Sequence, residues 1–167
     1  MLRVLRAVES AIDAVLQRTV FAGIVALIAV MSLQIISRVF FSATSWTEET
    51  ARYLLIWLTF LGACLAYHRG RHIAVTVLAD RLPGRAGQSV QALVAIIAML
   101  FMGALVSVGL DYMALQSFQR SAALQVPMSI IYAVMPASAA IMAYMAFVDL
   151  VEALLGTAAN APHEGGS

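Results

Sequence analysis

Two histidines in one basic segment are the residues of this chain that could bind a metal or a haem. His68 and His72 are four residues apart in AYHRGRHIAV, a spacing that places both side chains on one helix face. Gly70 falls between them, Arg69 and Arg71 add positive charge beside any bound cation, and no third ligand stands at a suitable spacing. We interpret the segment as a basic loop and expect no cofactor, metal or catalytic residue in this chain.

An acidic pair in the segment SWTEETARY is the second polar feature. Ser45 and Glu48 have the spacing of a capping box, which predicts the start of a helix. Glu48 and Glu49 lie in its first turn, where the helix dipole favours them, and Glu48 is one turn from Arg52. Trp46 is typical of an anchor at a membrane interface. The same group could instead dock the charges of a partner protein, so capping and partner contact both remain open.

A polar stripe interrupts the first long apolar stretch of the chain. Gln34, Ser37 and Arg38 lie at i, i+3 and i+4, and so share one helix face. Arg38 is close enough to the end of the stretch to reach lipid headgroups. Gln34 is deeper and needs a hydrogen-bond partner, either within this chain or on another membrane subunit.

The composition of the chain indicates that the secondary-structure elements that position these residues lie in a lipid membrane. Of 167 residues, 62% are hydrophobic and 11% are charged, against roughly 45–50% and about 25% in soluble domains. The net charge of +1 provides no field for nucleic acid. The single Cys64 excludes an internal disulfide.

Four stretches are long and apolar enough to cross a bilayer, whose hydrocarbon requires roughly 20 residues of helix. We predict an all-α membrane protein with transmembrane helices at about 20–41, 46–67, 90–110 and 130–150, in one domain over residues 1–156. Residues 157–167 have no periodicity and are expected to form a disordered tail.

The first seventeen residues predict an interfacial amphipathic helix. Leu5, Val8, Ile12 and Val15 lie at helical spacing, and the charged residues occupy other positions. A signal peptide is the competing interpretation. The acidic residues of this segment, the over-long apolar stretch that follows and the lack of a small-residue cleavage site count against a signal peptide.

The distribution of arginines predicts on which side of the membrane each loop and terminus lies. All ten basic residues are Arg; seven lie in the N-terminal segment and the loop after the second span, and three lie on the opposite side. Both termini are therefore expected in the cytoplasm. No Asp, Glu, Arg or His lies in the middle of a span, which disfavours an ion-coupled carrier acting alone.

Two further features concern helix packing. Gly103 and Ser107 are small residues one turn apart in the third span, which predicts a close helix contact. Pro136 removes a backbone donor in the fourth span and can kink that helix.

Two segments of the chain resemble the DctQ-like small permease subunit of tripartite ATP-independent periplasmic transporters. Ser45–Gly84 contains the Trp and acidic pair, an Arg-Tyr start, Leu-Gly-Ala and Gly-x-His-Ile, and Ala123–Met142 contains Leu-x-x-Pro, a Tyr and a second Pro. The chain departs from the family at Thr76, often Asp, at Ser129, often Trp, and at Ala137–Ser138, where Gly is common.

The resemblance implies a non-catalytic subunit that pairs with a large multi-span permease subunit. The large subunit would carry the substrate and sodium pathway for an organic acid, and a periplasmic binding protein would deliver the substrate. By the same resemblance, Trp46, Glu48, Glu49 and Arg52 are candidates for an outer-face assembly region, and Arg69, Arg71 and His72 map to the inner-face loop. Two alternatives remain from the residues alone: a haem-binding anchor of a redox complex, and a small channel or exporter acting alone.

Overall fold

The computed structural model describes residues 2–40, 45–81 and 85–155, with side chains described except at positions 2, 4, 71–81, 85 and 86. Its five α-helices are α1 (Leu2–Phe40), α2 (Ser45–Arg81), α3 (Arg85–Leu115), α4 (Met128–Tyr132) and α5 (Val134–Leu154). A short 3-10 turn, Gln116–Phe118, and a loop connect α3 to α4. The predicted tail at 157–167 lies outside the described residues.

Four helical stretches are long and apolar enough to cross a membrane, which confirms the predicted fold class. They are Leu5–Phe40, Ser45–Gly70, Gly87–Phe118 and Met128–Leu154, so α4 and α5 together form the fourth. The first contains 36 residues, which corresponds to about 54 Å of helix against about 30 Å of hydrocarbon. The helices are longer than the predicted spans because helical backbone continues into the polar flanking sequence.

The helices pack as two antiparallel pairs. α1 lies along α2, α3 lies along α5, and α2 contacts α5 and joins the pairs. α2 and α5 run in the same direction, because Trp57 contacts Ile131 and Cys64 contacts Ser138. We call the end that carries the α3–α4 loop the loop end, and the end that carries the start of α1 and the close of α5 the termini end.

α3 and α5 approach each other closely at Gly109. A Cβ added there would lie 3.1 Å from Pro136 Cδ and 3.1 Å from Pro136 N. Gly103 is different, because nothing lies within 4 Å of its would-be Cβ. The close contact predicted at Gly103 and Ser107 therefore does not occur among the described residues, and the small residue that the fold requires is Gly109.

The fourth span is interrupted one turn before its proline. α4 ends at Tyr132, Ala133 forms a turn, and α5 begins at Val134. Pro136 has no N–H to donate to the carbonyl four residues earlier, and helical bonding continues with the N–H of Ala137 donating to Ala133 O at 3.2 Å.

The N-terminal segment is helical, and it continues into the first span without a break. The four residues of its predicted apolar face do not share one environment. Leu5 and Ile12 face the bundle, whereas Val8 and Val15 are 43% and 62% exposed. Glu9 is buried instead. The reason is local, because His68 of α2 faces Glu9 from across the helix pair.

Burial is concentrated in the fourth span. In the most apolar 18-residue window of each span, 44% of the residues are buried in the fourth and none in the first. A core cluster of Leu16, Cys64 and Met145 joins α1, α2 and α5 toward the termini end. α1 is consequently a peripheral helix whose apolar surface is left for lipid or for another protein.

Candidate assembly site

One face of α2 is bonded to the segment that begins with the α3–α4 loop and ends in α5. The contacts join residues separated by 73–75 positions along the chain. From the loop end inward, the α2 residues are Glu49, Tyr53, Trp57 and Cys64. Residues 49, 53 and 57 are spaced by four, so they share one helix face. The two segments that carried the family resemblance are thus packed on each other.

The α3–α4 loop is closed by its own backbone. The N–H of Ser121 donates to Val126 O at 2.9 Å, and the N–H of Met128 donates to Gln119 O at 2.9 Å. Ser121 Oγ accepts from Val126 N at 3.3 Å. Gln125 adopts a left-handed conformation with φ of 54°, which a non-glycine residue rarely adopts. The turn leaves three consecutive N–H groups, at residues 122–124, directed at α2.

The carboxylate of Glu49 accepts all three of these N–H groups. Oε1 accepts from Ala122 at 3.0 Å, and Oε2 accepts from Ala123 and Leu124 at 2.9 Å each. The hydroxyl of Tyr53 donates to Oε1 at 2.9 Å and completes a set of four donors. Successive backbone N–H groups that converge in this way form a concave anion site. Glu49 therefore fixes the loop on the start of α2.

Glu48 has a different environment from its neighbour. Its Oε1 lies 3.4 Å from Arg52 Nη2, and both side chains are about two-thirds exposed. Such a pair contributes little to stability. Ser45 is the first described residue of α2, so the predicted cap there stays a prediction, and Trp46 is 45% exposed. Trp46, Glu48 and Arg52 thus form an exposed group at the loop end, whereas Glu49 is engaged within the chain.

Trp57 and Cys64 continue the contact toward the termini end. The Trp57 indole N–H donates to Ile131 O at 3.1 Å. The buried Cys64 thiol lies 3.5 Å from Ser138 O. Sequence reasoning did not identify Tyr53 or Trp57 as bonding residues. The spacing of four from Glu49 was the available signal, but it does not reveal which helix the face meets.

The polar stripe of α1 is only partly engaged. Gln34 Oε1 is buried without a hydrogen-bond partner in the described part of the chain, Ser37 is half-buried, and Arg38 is exposed. The partner that the sequence requires for Gln34 is therefore not among the described residues. The role of Gln34 and Arg38 in assembly stays a prediction.

Ionisable residues from three helices meet at the termini end. His68 Nδ1 lies 3.4 Å from Glu9 Oε1, and its Nε2 lies 3.9 Å from Asp13 Oδ1. Arg6 Nε donates to Glu152 Oε1 at 2.8 Å. These contacts hold the start of α1 against α2 and α5.

The segment predicted as a basic loop is instead the continuation of helix α2 to Arg81, and it adds no further described side chain to this cluster. Arg69 is exposed, and the side chains of Arg71 and His72 lie outside the described residues, so the suggested histidine pair is not described. Across the residues whose placement is described, no group of three or more His, Cys, Asp or Glu side chains has the arrangement of a metal site.

An apolar groove of about 300 Å³ runs along α2 beside α1. Its lining includes Leu54, Leu58 and Leu61 of α2, Gly23 of α1 and Leu124 of the loop. Thr19, Thr50, Tyr53 and Trp57 also line it, but its surface is almost entirely apolar, and the polar groups of the last three bond within the chain.

Comparison with known proteins identifies the family. The model of the family described as "Tripartite ATP-independent periplasmic transporters, DctQ component" matches residues 27–156. A putative TRAP transporter small permease protein of Haemophilus influenzae is 45% identical over 64 residues, which are 35% of this chain and 40% of that one. The sialic acid TRAP transporter small permease protein SiaQ of Vibrio cholerae is 26% identical over 164 residues, 96% of this chain and 93% of that one.

A third relative is a much longer protein. The isethionate TRAP transporter permease protein DctMQ of Oleidesulfovibrio alaskensis is 34% identical over 139 residues, 77% of this chain. The match covers 22% of that relative and 40% of the Haemophilus protein. The family match covers most of the four-span bundle whose α2 and α3–α4 segments are bonded together. The chain therefore belongs to the DctQ family of tripartite ATP-independent periplasmic transporters, a family of transporter subunits and not of enzymes.

Proposed function

We propose that this chain is a scaffold for the large permease subunit of its transporter. The complex would sit in the bacterial inner membrane and take up an organic acid that a periplasmic binding protein delivers, driven by a sodium gradient. In this division of work the large subunit carries the substrate and the sodium ions. The small subunit supplies a rigid membrane surface and takes no part in the transport chemistry.

The observation that carries the proposal is how the polar groups of the bundle are used. Glu49, Trp57 and Cys64 all bond within the chain, and their partners are backbone groups of the neighbouring segment. A transport path requires polar groups that are available to a solute or an ion. The polar groups along this face of α2 hold the bundle's own helices together, which supports a structural role.

The unburied surface of the bundle is evidence for a large membrane partner. No residue of the most apolar window of α1 is buried, and Gln34 has a buried amide oxygen without a described partner. The relative named DctMQ contains the matched region as 22% of a single permease chain. A covalent union of this kind is expected where two subunits work side by side, and it favours the large permease as the partner.

The substrate class rests on the names of the relatives. Isethionate and sialic acid, for which two of them are named, are both organic acids. We extend that class to this chain, with the particular acid set by the large subunit and the binding protein.

The arginine distribution supports placing the termini end in the cytoplasm and the loop end in the periplasm. The exposed group of Trp46, Glu48 and Arg52 then faces the compartment of the binding protein. We expect reporter fusions after Gly156 and within Pro83–Gln88 to give a cytoplasmic signal. A periplasmic signal at either position would contradict this orientation.

Co-purification tests the scaffold proposal. The tagged chain is co-expressed with the large permease subunit of its transporter and purified in mild detergent. We expect the two to elute as one complex. A chain that elutes alone under conditions in which the large permease is present and folded would refute the proposal.

A further inference from the structure

A carboxylate stands on the apolar surface of α3. Asp111 lies within the membrane-spanning stretch Gly87–Phe118, seven residues, or about 10 Å of helix, before its end. Its side chain is exposed on the bundle surface. The residues one turn to either side, Val108 and Leu115, are 59% and 75% exposed and apolar. Asp111 thus interrupts a mostly apolar face, on which the hydroxyl of Ser107, one turn earlier, already donates to Gly103 O at 3.3 Å.

The other acids whose side chains are described are engaged. At the loop end, Glu48 pairs with Arg52 and Glu49 accepts backbone N–H groups. At the termini end, Glu152 pairs with Arg6, while Glu9 and Asp13 face His68. Asp149 also has an interaction. Among the acids whose side chains are described, Asp111 is the one with neither an ion pair nor a hydrogen bond.

The polar neighbours of Asp111 are committed elsewhere. The amide of Gln116 donates to Tyr112 Oη at 3.1 Å, and the Tyr112 ring packs edge-on against Tyr132 at 5.0 Å between centroids. Arg120 in the following loop donates to Gln125 O at 3.2 Å. Each of these side chains therefore bonds to a group other than Asp111.

A carboxylate on the outer surface of a spanning helix is costly when lipid surrounds it, and such residues usually pair with a cationic group. We propose that the α3 face formed by Val108, Asp111 and Leu115 docks a transmembrane helix of the large permease that places an Arg or Lys side chain opposite Asp111. The inference rests on the proposed function and adds to it the surface and the charge of the contact. Charge complementarity selects this occupant, because neither a lipid chain nor a second copy of the α3 face supplies a cation.

Charge variants of Asp111 in the co-expressed complex provide the test. Asp111→Glu retains the charge and is expected to recover the large permease as the wild type does. Asp111→Asn removes the charge, and Asp111→Arg reverses it. Since removing one partner of a desolvated charge pair commonly weakens an interface by much more than tenfold, we expect Asp111→Arg to reduce recovery by more than about tenfold and Asp111→Asn by a smaller factor.

A folding defect is excluded by measuring the small subunit alone. Because Asp111 has no bond within the described chain, each variant without its partner should unfold at the denaturant concentration of the wild type. A photo-crosslinking amino acid at position 108 or 115 should then form an adduct with the large permease in the intact complex.

The outcomes separate the two proposals. If the wild type recovers the large permease and Asp111→Asn and Asp111→Arg recover it equally well, the docking inference is wrong and the scaffold proposal stands. Crosslinks only to lipid or to a second copy of this chain would also overturn the docking inference. If the wild type recovers no large permease, both proposals fail.

Discussion

Replacing Gly109 with alanine tests the close approach of α3 and α5 that shapes the bundle. The added Cβ would lie 3.1 Å from Pro136 Cδ and N, whereas ordinary contact begins at 3.4 Å, so the helices must separate by about 0.3 Å. The proline ring is tied to the backbone of α5 and cannot rotate away as the end of a flexible side chain can. We therefore expect Gly109→Ala to destabilise the bundle.

The magnitude follows from two opposing effects. Overpacking of this kind costs about 1–3 kcal/mol, while replacing glycine by alanine in a helix gains up to about 1 kcal/mol. Gly103→Ala is the matched control, because it brings the same helical gain on the same helix and its Cβ would meet nothing within 4 Å. The difference in unfolding free energy between the two variants should therefore be about 1–3 kcal/mol, with Gly109→Ala the less stable.

Both variants would be unfolded side by side by denaturant titration in mixed detergent and lipid micelles, with helical circular dichroism as the signal. The contact between Gly109 and Pro136 predicts separate midpoints. Coincident midpoints would show that α3 and α5 do not approach each other at Gly109, and would refute the tight packing of the two helices at this point.

Two further substitutions test the bonded face of α2. Glu49→Gln replaces one carboxylate oxygen by an amide nitrogen. Because each oxygen accepts two hydrogen bonds, two accepted bonds are lost, and we expect faster proteolysis of the 119–127 loop. Glu48→Gln should leave that rate unchanged. Equal cleavage in both variants would contradict the role of Glu49. Trp57→Phe removes the bond to the Ile131 carbonyl and should lower the unfolding free energy by about 1 kcal/mol. Trp46→Phe, at an exposed ring, is its control, and equal losses in the two would count against the bond.

The four spans could be predicted because lipid imposes a simple requirement on sequence, namely some twenty apolar residues in a self-satisfied helix. In contrast, the ends of the spans depend on neighbouring helices. The first seventeen residues are helical as predicted, but packing on α2 turned Glu9 inward and Val15 outward.

The candidate site was only partly predictable. Glu48 and Glu49 are adjacent in sequence, yet a residue step of about 100° on a helix gives them different surroundings. The capping spacing drew attention to Glu48, whereas the four donors converge on Glu49. The separation of 73–75 residues that aligns α2 with the loop and α5 is a property of tertiary packing, and helical periodicity carries no information about it. The same reason explains why Gly103 was selected from its spacing and Gly109 was not.

Transport by reconstituted subunits tests the central claim most directly. Proteoliposomes would contain this chain alone, the large permease alone, or both, with the binding protein loaded with a labelled organic acid outside and an inward sodium gradient. The scaffold account predicts no uptake by this chain alone and full uptake only when both subunits are present. Uptake by this chain without the large permease would contradict it.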